Sequence, residues 1–141
     1  MTLFIADDNE KFRQRLASII NELPGIEVVG QASDVQDSIE TINRIRPDTI
    51  ILDIHMPGGS GLDVLQAAKS IDPGLVVMML TVGPSSEYRE KSLAMGATYF
   101  FEKSTNMKKM MTILAKLARR KKNGSKRSTK ANDRLHFRRC A

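Results

Sequence analysis

A doubly wound α/β sheet is the fold the sequence predicts. Five short apolar runs alternate with five helical segments, and each run is nearly continuous in apolar residues rather than alternating. Continuous apolar strands are those buried on both faces by helices, the mark of a parallel sheet. With 141 residues the chain is too short for a closed eight-fold barrel, which takes about 250. An open sheet with right-handed crossovers is left, and such sheets bind ligands beyond the carboxyl ends of their strands, where strand order reverses.

The elements follow in order. Leu3 to Ala6 is an apolar run stopped by Asp7-Asp8-Asn9, residues that leave a strand and cap a helix. Phe12, Leu16, Ile19, Ile20 and Leu23 then recur at helical spacing until Pro24-Gly25. Val28-Val29 starts a second strand, with Ser33 or Asp34 capping a helix that carries Ile39, Ile42 and Ile45 and stops before Pro47. Thr49 to Leu52 is the third strand, followed by Asp53, a Gly-rich loop and a helix with Val64, Leu65, Ala68 and Ile71. Leu75 to Leu80 is the fourth strand, Ser85-Ser86 opens a helix ending at Met95-Gly96, and Tyr99-Phe100-Phe101 is the fifth strand. Met107, Met110, Met111, Leu114 and Leu117 sit at helical spacing and are read as core, with a break expected at Asn123-Gly124-Ser125.

Composition narrows the function classes. No apolar stretch approaches the roughly 20 residues of a membrane span, and the N-terminus lacks the basic start of a signal peptide, so a cytoplasmic protein is expected. The single cysteine, Cys140, excludes an internal disulfide and paired-thiolate metal sites, and His55 and His136 are far apart. Oxygen ligands are the only type in good supply. Charge divides the chain: residues 1 to 115 hold 11 Lys/Arg against 15 Asp/Glu, whereas residues 116 to 141 hold 11 Lys/Arg against Asp133 alone. The sequence therefore divides into a domain over residues 1–118 and a basic tail over 119–141, a charge run that reads as disordered.

At the strand ends stand Asp7 and Asp8 after the first, Asp53 after the third, Thr81 after the fourth and Lys103 after the fifth. Each alone reads as a cap or a solvated loop residue; five on one rim form a constellation. Clustered carboxylates repel, so they take up a proton or hold a cation, and a hard cation such as Mg²⁺ suits oxygen ligands. A carboxylate, a cation, a hydroxyl and an ammonium are the parts of phosphoryl transfer.

Asp7-Asp8, the segment from Asp53 through Pro57-Gly58-Gly59-Ser60-Gly61, Thr81, and Gly96-Ala97 followed by Phe100 and Lys103 closely resemble the receiver domain of bacterial two-component response regulators. The resemblance covers about residues 2 to 118 and implies a flavodoxin-like strand order 2-1-3-4-5. It implies that Asp53 accepts a phosphoryl group from a histidine kinase or phosphotransfer protein. Asp8 would ligate Mg²⁺ directly and Asp7 mainly through water, with the Asp53 carboxylate and the His55 backbone carbonyl completing the set. Thr81 and Lys103 would contact the acyl phosphate, and Phe100, which by itself reads equally as core, would be the aromatic switch. The output implied is a protein contact through the fourth helix, fifth strand and fifth helix, with a homodimer as a further candidate. The resemblance thus implies a switch with slow self-dephosphorylation more than an enzyme.

Two departures stand out. Ser104 follows Lys103 where many receivers have Pro, so the usual cis bond is not assumed. His55 and Gly83 occupy positions that tune phosphoryl lifetime in this family, although His55 on its own reads as an exposed loop residue. Rival readings are a haloacid-dehalogenase-type phosphatase, which needs an Asp where His55 stands, and a nucleic-acid-binding regulator acting through the basic tail.

Overall fold

The computed structural model describes residues 1–82 and 86–127. Strands β1 (Thr2–Ala6), β2 (Glu27–Ala32) and β3 (Thr49–Asp53) are joined by helices α1 (Glu10–Asn21) and α2 (Val35–Ile45). A two-residue hairpin, β4 (His55–Met56) and β5 (Gly59–Ser60), leads into α3 (Gly61–Ile71). Then come β6 (Val76–Thr81), α4 (Ser86–Ala94), β7 (Tyr99–Glu102) and α5 (Met107–Arg127). The five long strands form one parallel sheet in the order β2-β1-β3-β6-β7, which is the expected 2-1-3-4-5 once the hairpin is set aside.

Strand alternation divides the core into two layers. Phe4, Ala6, Ile50, Leu52, Val77 and Met79 face one side, where Val35 and Ile42 of α2 and Val64, Leu65 and Ala68 of α3 cover them. Leu3, Ile5, Ile51, Met78 and Leu80 face the other, against Leu16 and Ile20 of α1 and Met110, Leu114 and Ala118 of α5. The methionines of α5 are core as expected: Met110 is fully buried, and Met107 and Met111 pack at its edge.

Helix ends obey the local chemistry. Asn9 caps α1 by accepting from the Phe12 amide at 3.0 Å, and Asp34 caps α2 by accepting from the Asp37 amide at 2.7 Å. One boundary is corrected. Helix α5 runs through Asn123-Gly124-Ser125 to Arg127, where the sequence predicts a break. Helix propensity at one Gly costs only about 1 kcal/mol, too little to stop a helix already fixed along its apolar face. Lys121 also fastens this end, pairing at 3.0 Å with Asp48, whose carboxylate accepts from the Thr2 amide at 2.8 Å. Burial pulls the Asp48 carboxyl up, but Thr2 and Lys121 together hold it below the ordinary 3.8. The tail readings at 128–141, Cys140 and His136 included, and the readings at Gly83 and Ser85 lie outside the described residues.

Leu114 is fully buried and Ile19 is 43% exposed, although both fall on apolar helix stripes. Leu114→Ala is expected to lower unfolding free energy by about 2–5 kcal/mol and Ile19→Ala by about 1 kcal/mol or less, read from urea denaturation.

Candidate phosphoacceptor and cation site

The chain leaves β1 for β2 on one side and places β3 on the other, so strand order reverses between β1 and β3. The carboxyl ends of these two strands carry Asp7, Asp8 and Asp53. Their carboxylate oxygens lie within 4.8 Å of one another. Asp7 and Asp53 are buried, at 1% and 5% exposure, and Asp8 is exposed, so the cluster opens to solvent on one side.

Each group is aimed by its element. The Asn9 amide donates to Asp7 Oδ1 at 2.8 Å, and the Arg13 guanidinium donates to the Asp7 carbonyl at 2.7 Å, tying the β1 end to α1. The His55 amide donates to Asp53 Oδ1 at 3.3 Å. Lys103 reaches in from the end of β7, where its own amide bonds the Thr81 carbonyl at 2.8 Å. Its ammonium lies 2.7 Å from Asp7 Oδ2 and 3.4 Å from Asp53 Oδ2. The contact to Asp7 is a charge contact rather than a directed hydrogen bond, and that oxygen receives no hydrogen bond from the described residues.

Phe12 was legible as a member of the α1 apolar stripe but not as part of the site. Its ring lies 4.3 Å below the Lys103 ammonium, a cation–π contact that holds the charge between the two buried carboxylates. Only its place at the first turn of α1, just after the acidic pair, hinted at this. Ser60 and Asp63 were also passed over, although their S-x-x-D spacing is a readable capping box. Ser60 Oγ accepts from the Leu62 amide at 3.1 Å and Asp63 Oδ2 accepts from the Ser60 amide at 2.9 Å, which fixes the start of α3 behind Asp53. Gly61 is required there: a Cβ at this position would overlap the Asp53 carbonyl oxygen.

Thr81 and Phe100 sit on the opposite layer from the acids. By strand alternation Thr81 belongs with Val77 and Met79, in the layer that also buries Phe100. Thr81 Oγ1 is fully buried and has no hydrogen-bond partner among the described residues. A buried hydroxyl without a partner costs about 1–3 kcal/mol. The Phe100 ring points inward at 7% exposure, with the Arg89 guanidinium 6.0 Å from its centroid. His55 is exposed as expected, but its ring meets Tyr88 of α4 edge-on at 5.5 Å. All peptide bonds among the described residues are trans, Lys103–Ser104 included.

Comparison with known proteins settles the family. The family model for the response regulator receiver domain matches residues 3–115. The chain belongs to the response regulator receiver family. It is 31% identical over 123 residues to a protein-glutamate methylesterase/protein-glutamine glutaminase 1 of Methanospirillum hungatei, a match over 86% of this chain and 36% of that protein. It is 25% identical to the response regulator GacA of Pseudomonas viridiflava over 79% of this chain and 52% of that one. This receiver thus spans about a third to a half of the curated relatives it matches. The response regulator domain of Thermotoga maritima CheB superposes with a TM-score of 0.73 at 25% identity, over 85% of this chain and 94% of that one. The receiver domain of AraT from Geobacillus stearothermophilus superposes with a TM-score of 0.76 at 24% identity, over 88% and 97%, a likeness of fold.

The charge balance fits a divalent cation. Three carboxylates face one ammonium, which leaves two negative charges uncompensated in a half-buried space. The Asp53 carboxyl is accordingly pushed above its ordinary 3.8, first by burial and then by the charge of Asp7, against the pull of Lys103.

Because the ionised form is the disfavoured one, Asp53 costs the folded state stability above its raised folded pKa. That cost fades as pH falls through this value and is gone below the ordinary carboxylate range. Asp53→Asn is therefore expected to raise the thermal midpoint at pH 7, at about 4 °C per kcal/mol. The gain should close toward pH 4 in melts without divalent cation. Gly61→Ala is expected to cost about 3 kcal/mol or more, against about 1 kcal/mol for the cap variant Ser60→Ala, in chemical denaturation of both.

Proposed function

We propose that this receiver is a phosphorylation switch in which Asp53 accepts a phosphoryl group from a histidine kinase or a phosphotransfer protein. The observation that carries the reading is the buried Asp53 carboxylate, 3.4 Å from the Lys103 ammonium and grouped with Asp7 and Asp8 at the β1/β3 ends. A carboxylate oxygen of Asp53 attacks phosphorus; the new P–O bond forms as the donor P–N bond breaks, and the imidazole nitrogen leaves with the electron pair. Burial and the neighbouring Asp7 charge raise the basicity of this carboxylate, which favours attack.

Asp8, Asp7, the Asp53 carboxylate and the His55 carbonyl are the groups that would hold Mg²⁺, which neutralises phosphoryl oxygens during transfer. Lys103, steadied by Phe12, supplies a second positive charge to those oxygens. Thr81 Oγ1, without a partner among the described residues, is the hydroxyl available to donate to one of them. Its movement toward the phosphoryl group would vacate space in the layer that holds Phe100, which makes this pair the switch. The output is a changed protein contact on α4, β7 and α5, with a downstream protein or a second copy as the partner. The switching unit is residues 1–118, the last turns of α5 to Arg127 and the residues after them are its basic extension, and its setting is the cytoplasm. As a phosphoacceptor with slow self-dephosphorylation it is a switch rather than a turnover enzyme.

Intact-protein mass after incubation with acetyl phosphate and Mg²⁺ tests this. One phosphoryl adduct is expected, lost with EDTA and in Asp53→Asn; an adduct that persists at the same site in Asp53→Asn would overturn the assignment.

A further inference from the structure

Helix α5 contains nine Lys/Arg and no Asp or Glu over its 21 residues. Its apolar stripe is consumed by the core: Met110, Leu114 and Ala118 are buried, and Met107, Met111, Ile113 and Leu117 pack around them. On the solvent side Lys108, Lys109, Lys116, Arg119, Arg120 and Lys122 are all exposed. None of these six has an acidic partner among the described residues, where Lys121 of this helix pairs with Asp48. At about 100° per residue, Lys108, Lys109, Lys116, Arg119 and Arg120 fall within about a third of the helix circumference.

From this arrangement we infer that the solvent face of α5 is a docking stripe for the phosphate backbone of nucleic acid, bound without sequence preference. Lys109 to Arg120 spans roughly 16 Å of helix axis at 1.5 Å per residue. That length matches about five phosphates of one duplex strand at 3.4 Å each. Charge complementarity selects a polyanion, and the surroundings of the charges select which one. An interfacial membrane helix buries an apolar face in the lipid, but the apolar face of α5 is already spent on the sheet, and no residue of α5 is among the exposed large hydrophobics. A protein partner is held by buried apolar or aromatic anchors within the patch; the proposed protein contact finds these in the exposed Tyr88 and Leu93 of α4, and the cation stripe of α5 offers none. Backbone phosphates need only the cations.

The stripe is also held in place. Lys121 ties this part of α5 to Asp48 and, through it, to Thr2 at the amino end of β1, away from the carboxyl ends where Asp53 lies. The inference therefore does not depend on the phosphorylation chemistry. It shifts the basic contact from the tail beyond residue 118 to a folded helix face that begins at Lys108, and the sequence adds Lys130, Arg134, Arg138 and Arg139 further on.

The test is fluorescence anisotropy of the full chain with a labelled mixed-sequence duplex of about 20 base pairs, titrated between 50 and 200 mM KCl. Binding in the micromolar range at the low-salt end is expected, with a log–log salt slope of about −4 to −5 for five phosphate contacts, unchanged on scrambling the duplex. Replacing Lys109, Lys116, Arg119 and Arg120 together by Gln should weaken binding at least tenfold at 100 mM and flatten the slope by about 3. The same variant should keep the far-ultraviolet circular dichroism spectrum and the cooperative urea transition of the unsubstituted chain, which shows that it is folded. No binding at 50 mM, equal binding by the folded quadruple variant, or tighter binding to vesicles containing phosphatidylserine than to the duplex would each overturn the inference.

Discussion

Three carboxylates meeting one ammonium at the carboxyl ends of β1 and β3 form the constraint around which this molecule is arranged. Two of the acids are buried, and a buried carboxylate is tolerable only with hydrogen bonds and counter-charge. The surrounding structure supplies both in limited amount. Backbone amides of Asn9 and His55 each serve one oxygen, Lys103 serves two acids at once, and Phe12 keeps the ammonium from swinging out to water. What is left uncompensated is a negative pocket with one open side, which suits a cation.

The sheet makes this arrangement possible by separating two tasks onto two layers. Alternation places Asp7, Asp53 and Lys103 in line with the residues that face α1 and α5, whereas Thr81 follows Val77 and Met79 toward the layer that holds Phe100. The layer of the acids and Lys103 and the layer of Thr81 and Phe100 thus meet at the adjoining ends of β3, β6 and β7. The weak burial of α4, whose one buried residue is Ser92, leaves that helix the least constrained covering element on the Phe100 side. By contrast α5 is fixed by its buried stripe from Met107 to Ala118 and by the Lys121–Asp48 pair, and it offers solvent a face rich in cations.

Much of the fold was legible because the strand runs are buried on both sides and leave a strong signal in a single sequence. Leu3 to Ala6, Thr49 to Leu52 and Leu75 to Leu80 could hardly be anything else, and the caps at Asn9 and Asp34 follow from residue type. The site was legible as a list, since Asp7, Asp8, Asp53, Thr81 and Lys103 each end a strand. The end of α5 was not: Asn-Gly-Ser reads as a stop, and the opposing force, a helix already fixed by tertiary contacts, leaves no local mark.

Sequence alone therefore determined the parallel sheet, its order through family resemblance, the acids and lysine on one rim, and the charge division along the chain. Only the tertiary structure decided how the charges are shared: Lys103 closer to Asp7 than to Asp53, Phe12 beneath it, Thr81 Oγ1 without a partner among the described residues, and Tyr88 against His55. The reason is physical. Burial and periodicity are properties of a segment and are written into it, whereas the partner of a charged or hydroxyl group comes from another segment, and its distance is set by packing that no local pattern encodes.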